Sequence, residues 1–307
     1  MTTLVRHISD TDVFDQTREA LLASDIHAGM ARLRATLCGL RSELPSEHWK
    51  AVGERVRQHP LHQLLLESPF THRGYAKPRG YAGDAGLMDL IYGAPPEQRP
   101  SPLGAMLYAF EFDSPCFHSV RTRRAVLARE IDDVAAMRPE ARVLSVACGH
   151  LREVEWSRAV HQGAVSITAV DQDENSVASV REAYRDLDVR PVLATVRDLI
   201  RRPAWIGQLD LAYAAGLYDY LEDNVARLLT TALFTMLRPG GRLLLANFTP
   251  ATRDAAFMEA VMDWHLIYRT PDEVRAIASG IPADAIDRID QFSDGNGQIA
   301  YMRVVKR

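Results

Sequence analysis

Residues 147–151 read Ala-Cys-Gly-His-Leu and lie between an apolar run, 143–146, and a helix-forming stretch, 151–160. Gly149 allows a tight turn, and such a turn brings backbone N–H groups and a helix N-terminus close to a nucleotide-like ligand. A second apolar run, 165–170, ends in Asp171, about 20 residues on, the spacing at which a strand–helix–strand unit sets an acid against ribose hydroxyls. A third run closes at Thr195-Val196-Arg197-Asp198-Leu199, with Asp198 placed to accept from an adenine amino group. Singly, each acid is as readily a helix N-cap, and Gly149 an ordinary turn. Their succession in order at the ends of neighbouring runs is what a purely structural account does not supply.

These residues need a scaffold. A fourth apolar run, 209–215, leads into Gly216-Leu217-Tyr218-Asp219-Tyr220, and a helix over 224–237 stops at Arg238-Pro239-Gly240-Gly241 before a fifth run, 242–248. Strands alternating with helices of this length imply an α/β fold with a parallel sheet. The runs 286–292 and 298–306 read as a terminal antiparallel hairpin turning at 293–297. Upstream, segments 12–24, 26–43 and 46–68 carry apolar residues at three-to-four spacing, with Ile26, Met30, Leu33, Leu37 and Leu40 as the clearest stripe. Pro60 should break the third of these. Residues 70–93 hold five glycines, one proline and three tyrosines, so an irregular stretch is expected until about Ala85. It brings Tyr75, Arg79, Tyr81 and Asp84 close together, either as a solvated loop or as a lid over a ligand. Residues 119–137 should form a helix entering the first strand.

The order of these pieces resembles the class I S-adenosylmethionine-dependent methyltransferases over roughly residues 138–307. The resemblance implies a Rossmann-like sheet with a terminal antiparallel hairpin, and S-adenosylmethionine as cofactor. It assigns the turn (Ala147, Gly149, His150) to the methionine moiety, Asp171 with Gln172 to ribose, Asp198 with Leu199 to adenine, and Ala215 to the same cofactor site. Arg121, in the helix before the first strand, is expected to pair with the cofactor carboxylate, in preference to Arg124. Ser145, Ala147 and Leu151 depart from the family's turn, standing where an acid and two glycines are usual. A dinucleotide enzyme is the rival, and the missing glycines and the hairpin count against it. The GYAGD, ACGHLRE and AGLYDYLED stretches narrow the likeness to a bacterial small-molecule subgroup with a helical N-terminal half, including azetidine-2-carboxylate synthase-like members.

That resemblance implies in-line displacement at a sulfonium. Tyrosine faces attract cations by about 0.5–2 kcal/mol, which makes Tyr218, Tyr75 and Tyr81 the catalytic candidates. Tyr220, Arg79, Asp84, Asn247 and Glu259 are candidates for substrate binding. A helix after the fifth strand would set Glu259 with Asp263, and Trp264 with Tyr268, on shared faces. That suits an amine-bearing acceptor, and equally a solvated acidic face beside a buried aromatic one. The expected activity is methyl transfer to a small metabolite, with secondary metabolism as its setting. The alternative is a lyase in which the cofactor's own amine attacks its γ-carbon, giving azetidine-2-carboxylate and methylthioadenosine.

Composition bounds the rest. The 307 residues divide into an expected helical cap or lid domain, 1–137, and a cofactor domain, 138–307. A hydrophobic share of 47% and charged share of 25% are ordinary for a globular protein. A net charge of -4 disfavours nucleic acid. No apolar core marks the opening MTTLVRHISD and no stretch approaches a membrane span, so no membrane association and a cytoplasmic setting are expected. Three dispersed cysteines imply no disulfide framework, and the lone pair His59 and His62 implies packing rather than a metal. The expected partner is a small-molecule substrate, with a homodimer as the assembly left open.

Overall fold

The stripe over 26–43 folds as a helix with Ile26, Met30, Leu33 and Leu37 buried, as its spacing requires. The computed structural model describes residues 10–202 and 206–307; residues 1–9 of the opening segment lie outside them. The chain forms two compact units, one running to His118 and taking in Arg253–His265, the other comprising Ser119–Thr252 and Leu266–Arg307. Among the described residues no helix is long and apolar enough to cross a membrane.

The first unit begins with α1 (Asp10–Leu22), α2 (Ile26–Glu43), α3 (Ser46–Gln58) and α4 (Pro60–Leu65), Pro60 opening a new helix as expected. Next come α5 (Pro69–Ala76), α6 (Ala85–Ile91) and α7 (Pro102–Phe112). The irregular stretch is therefore shorter than the composition suggested. Ser68 caps α5 by accepting from the Thr71 N–H, and Pro69 presets the first turn. Only residues 77–84 stay irregular, with Lys77, Gly80 and Gly83 in the left-handed region. Asp84 caps α6 by accepting from the Leu87 N–H at 2.7 Å, and Arg73 forks onto its two oxygens at 2.8 and 3.0 Å.

The second unit holds α8 (Pro115–Met137, whose first residues belong to the helical unit), β1 (Ala141–Val146), α9 (Arg158–His161), β2 (Val165–Asp171), α10 (Glu174–Ala183), β3 (Val189–Leu193) and α11 (Val196–Arg201). It continues with β4 (Leu209–Ala214), α12 (Asp223–Thr235) and β5 (Leu237–Phe248). Helix α13 (Ala255–Met262) returns to the first unit; α14 (Pro271–Ala276), β6 (Ile286–Ser293) and β7 (Ile299–Lys306) complete the second. The sheet order is β3-β2-β1-β4-β5-β7-β6, with β1 to β5 parallel and β7 antiparallel to both neighbours. Two local expectations differ. The Pro-Gly-Gly piece does not precede the fifth strand but lies within it, as an irregularity between Leu209 and Leu211 of the partner strand. A Cβ at Gly241 would lie 2.8 Å from the Leu209 carbonyl oxygen, so glycine is needed there. The helix expected over 151–160 is instead a 3₁₀ turn, Arg152–Trp156, and the single-turn α9.

Helix α13 is buried at every position. It ends at Asp263, whose φ of 50° takes the chain out of helix, so Glu259 and Asp263 do not share a helical face. Carbonyls at a helix C-terminus have no partner within the helix and carry its negative dipole end. Here Arg57 donates to the carbonyls of Glu259 and Ala260, His62 pairs with that of Val261 at 2.9 Å, and Lys77 donates to that of Asp263. Burial holds His62 below the usual imidazole range, so it serves as a neutral donor.

A second buried group in this unit is Glu111 on α7. Its two oxygens accept from Ser68 and Thr71 at 2.5 Å each. Burial pushes its carboxyl up to about 7, against the pull of those hydroxyls and of Arg34, which pairs with Asp254 at 2.7 Å. A carboxyl raised above its ordinary value of 4.5 binds its proton more tightly in the folded state. Its contribution to stability therefore falls as pH rises from 4.5 to about 7. Glu111→Gln keeps both hydroxyl contacts and removes the titration. In denaturant unfolding, the stability difference between variant and wild type should shift by on the order of 3 kcal/mol between pH 4.5 and 8, favouring the variant at pH 8. A difference independent of pH would show that Glu111 is not the titrating group.

Candidate functional site

Between β1 and β4 the strand order reverses, and in open parallel sheets ligands bind in the crevice outside the carboxyl ends at such a point. The turn leaving β1 sits there. Ala147, Gly149 and Leu151 all have left-handed φ, of 51°, 54° and 54°. For Ala147 and Leu151 that conformation costs roughly 1–2 kcal/mol each. The turn is tied to β2: the Cys148 N–H donates to the Val170 carbonyl at 3.0 Å and the Gly149 N–H to Asp171 Oδ2 at 2.8 Å. The other Asp171 oxygen accepts from the Asp173 N–H at 2.9 Å. Burial pushes the Asp171 carboxyl up and these bonds pull it back.

A phenol–carboxylate pair lies under the turn. Tyr213 on β4, level with Ser145 of β1, donates to Glu153 Oε1 at 2.6 Å, both side chains being buried. Burial pushes both groups up. It does the same to the Cys148 thiol, with Asp171 and Glu153 adding to the effect, so the thiol stays protonated.

Arg123 on α8 lies at the carboxyl end of β4. It donates to the Ala215 carbonyl at 2.7 Å and its guanidinium lies 6.0 Å from the centre of the Phe248 ring. Arg124 stacks 3.8 Å from the centre of the Trp156 ring, and Arg121 is half-buried. The signal for Arg123 was present in the sequence: Val120, Arg123, Arg124, Leu127, Ile131 and Val134 are buried along one helical stripe, and Arg121 is off it.

The segment after β4 is held by Arg269, which is 2% exposed. Its guanidinium donates to the carbonyls of Tyr218 at 2.8 Å and Leu221 at 2.5 Å, to Asn247 Oδ1 at 2.8 Å, and to Asp223. Asn247 in turn donates to the Ile267 carbonyl. Asp219 accepts from the Phe248 N–H at 2.7 Å, and burial pushes its carboxyl up to about 6. This bracing of the β4 and β5 ends, with Asp219 and Arg269 at its centre, was not read from the sequence.

The structure brings Ala147, Gly149, His150, Asp171, Gln172 and Ala215 to the strand ends of one sheet, with Ala147 and Gln172 exposed. Tyr218 is fully buried, its ring in the core and its hydroxyl 2.8 Å from Thr230 Oγ1, whereas Tyr220 is exposed. Asp198 forms a capping box with Thr195 at the start of α11, and Leu199 is in the core. Tyr75, Arg79, Tyr81, Asp84 and Glu259 belong to the helical unit. There Glu259 accepts from Arg41 through two nitrogens and from Trp49 Nε1, all at 2.8 Å. Tyr75 sets its ring edge-on to His62.

No protein-family model and no curated protein sequence matches the chain. Among solved structures it is similar to a possible exported protein from Bordetella parapertussis, at 17% identity over 100% of this chain and 99% of that one, with a TM-score of 0.61. It is also similar to magnesium protoporphyrin IX methyltransferase (ChlM) from Synechocystis PCC 6803 with bound SAH. That match has 14% identity, 78% and 99% coverage, and a TM-score of 0.50. At these identities the likeness is one of fold. The chain has a Rossmann-like α/β sheet with a terminal antiparallel hairpin and a helical N-terminal region.

Arg269→Lys removes the planar fork that reaches four partners at once. It should cost about 3 kcal/mol in denaturant unfolding and speed amide exchange at residues 218–221 and 248. The exposed control Arg288→Lys should do neither. Unchanged exchange in Arg269→Lys would show that the segment is held by something else.

Proposed function

We propose that this chain is an S-adenosylmethionine-dependent methyltransferase acting on a small molecule. The observation that carries the reading is the left-handed turn after β1 bonded to the terminal acid of β2, at the point where strand order reverses. Strain of that kind persists where surroundings over-determine it, and it clusters at binding sites. The bound SAH of the Synechocystis enzyme belongs to a protein of the same fold and supports the reading.

The residues present fit such a cofactor in their donor chemistry. A carboxylate has about four acceptor positions, and Asp171 gives one oxygen to each of two backbone donors, leaving capacity for ribose hydroxyls. Gln172 is the exposed neighbour. Arg123, at the Ala215 carbonyl, is the guanidinium suited to an α-carboxylate, in the role expected of Arg121. Ala147 and His150 belong to the turn, and exposed Tyr220 is the candidate of this unit for the acceptor, whereas Asn247 is buried and its amide is taken up by Arg269 and the Ile267 carbonyl. When bound, S-adenosylmethionine supplies an electrophilic methyl group on a sulfonium.

The protein's own task is then to orient and to exclude water. Its buried groups suit that task. Cys148 is kept as a thiol, so no thiolate competes for an alkylating ligand. Asp219 is committed to the Phe248 N–H and Glu153 to the Tyr213 phenol, so each braces a loop. An acceptor that is already ionised requires no base.

Calorimetric titration tests the proposal. Wild-type protein should bind S-adenosylmethionine and S-adenosylhomocysteine, and Asp171→Asn should weaken both by about tenfold or more, equivalent to about 1.4 kcal/mol. No binding of either compound by the folded wild type would end the reading. Incubation with S-adenosylmethionine alone should leave it intact; methylthioadenosine formed faster than in a protein-free control would replace methyl transfer with cyclisation of the cofactor.

A further inference from the structure

We propose that Tyr184 is a positioning residue, whose phenol holds the 147–151 turn in the left-handed geometry needed to receive the ligand. The proposal rests on the methyltransferase reading of that turn for its functional meaning, but not for its structural content.

The turn is costly as written. Ala147 and Leu151 occupy left-handed backbone that glycine would take without a steric penalty. Left to itself, the segment would favour other conformations at Ala147 and Leu151. Bonds to β2 restrain its first half, at Cys148 and Gly149. The second half, where the chain leaves Gly149 and has not yet entered the 3₁₀ turn, is met by Tyr184.

Tyr184 follows α10 as its C-cap residue and is 6% exposed. Its hydroxyl lies 3.2 Å from the Leu151 carbonyl oxygen, 3.4 Å from that of His150 and 3.3 Å from Glu155 Oε1. All three are acceptors, so the phenol must donate, sharing one proton among them. Burial, and next the Glu155 carboxylate, push its ionisation well above the ordinary range, so it remains a donor throughout the physiological span. The Leu151 carbonyl also accepts from the Val154 N–H at 3.2 Å, which places the phenol at the joint between turn and 3₁₀ segment. One side chain from the helix after β2 thus fixes two consecutive carbonyls of the loop after β1.

The mechanism makes a compensation testable. If Tyr184 offsets the left-handed cost, removing its hydroxyl should be repaired by a residue for which that cost is absent. Tyr184→Phe keeps the ring in place, and Ala147→Gly sits at an exposed position, so both variants should fold. In the ligand-free protein, Tyr184→Phe should raise amide exchange at residues 148–151 at least tenfold, with exchange in β1 and β4 unchanged. S-adenosylhomocysteine should bind it about tenfold more weakly, and adding Ala147→Gly should recover half or more of that loss on a logarithmic scale. Ala147→Gly in the otherwise wild-type chain is the reference against which that recovery is read. Exchange rising evenly over the unit, or no recovery with glycine, would mean that Tyr184 is ordinary packing and overturns the proposal. Wild-type protein that binds no S-adenosylhomocysteine would end the methyltransferase reading, while the exchange comparison would still decide whether Tyr184 holds the turn.

Discussion

The bond from the Gly149 N–H to the Asp171 carboxylate joins the turn after β1 to the end of β2, and the site geometry depends on it. The two residues are 22 apart in sequence and adjacent in space because β1 and β2 pair in parallel register, Val146 opposite Val170. Without an acceptor at 171, the Gly149 N–H would lack its charged partner just where Ala147 and Leu151 are held against their preference. A hydrogen bond to a charged acceptor contributes about 1.5–3 kcal/mol, comparable to the left-handed cost of both residues together. The carboxylate is therefore part of the turn, and any ligand hydroxyl it accepts from meets an oxygen already fixed in direction.

The same logic governs the other strand ends. Arg269 gathers two carbonyls, an amide oxygen and a carboxylate, and Asp219 takes the Phe248 N–H. Backbone leaving a parallel strand has lost its ladder partners and must find others. Here they come from buried charged side chains, which cost desolvation but have directional, short bonds. In the helical unit the carbonyls ending α13 are treated alike, by Arg57, His62 and Lys77.

Strand positions and the acid ending β2 were legible because period, turn residues and strand length are local properties, whereas Asp198, expected at the close of the third strand, lies inside α11 beyond β3. The parallel sheet, the hairpin and the placement of Asp171 at a strand end follow from them. Helix ends were less so. Two helices stop where a non-glycine residue adopts left-handed φ, α5 at Lys77 and α13 at Asp263, and nothing in the residue type announces it. By contrast the Ser-Pro pairs at 68–69, 101–102 and 114–115 each open a helix, a cap-and-proline signal that composition alone obscured. The braces were not legible. Arg123 to Ala215, Tyr213 to Glu153 and Arg269 to Tyr218 span 92, 60 and 51 residues, and pairings of that kind are fixed by packing.

Besides Asp171, three buried acids, Glu111, Glu153 and Asp219, have their carboxyls pushed upward, and each has donors of a different kind: hydroxyls, a phenol and a backbone amide. An acid kept for proton transfer needs an oxygen open to the reacting group and a value near the working pH. Glu111 and Asp219 meet the second condition at about 7 and about 6, but are 1% and 2% exposed and bonded to their own loops. Their shifts follow from burial in structural roles. A perturbed carboxyl by itself is thus a poor guide to chemistry in this chain, and the strained backbone at 147–151, bonded to Asp171, is the better one. At the strand ends Asp219 is closed onto the Phe248 N–H, whereas Asp171 keeps the turn after β1 in place.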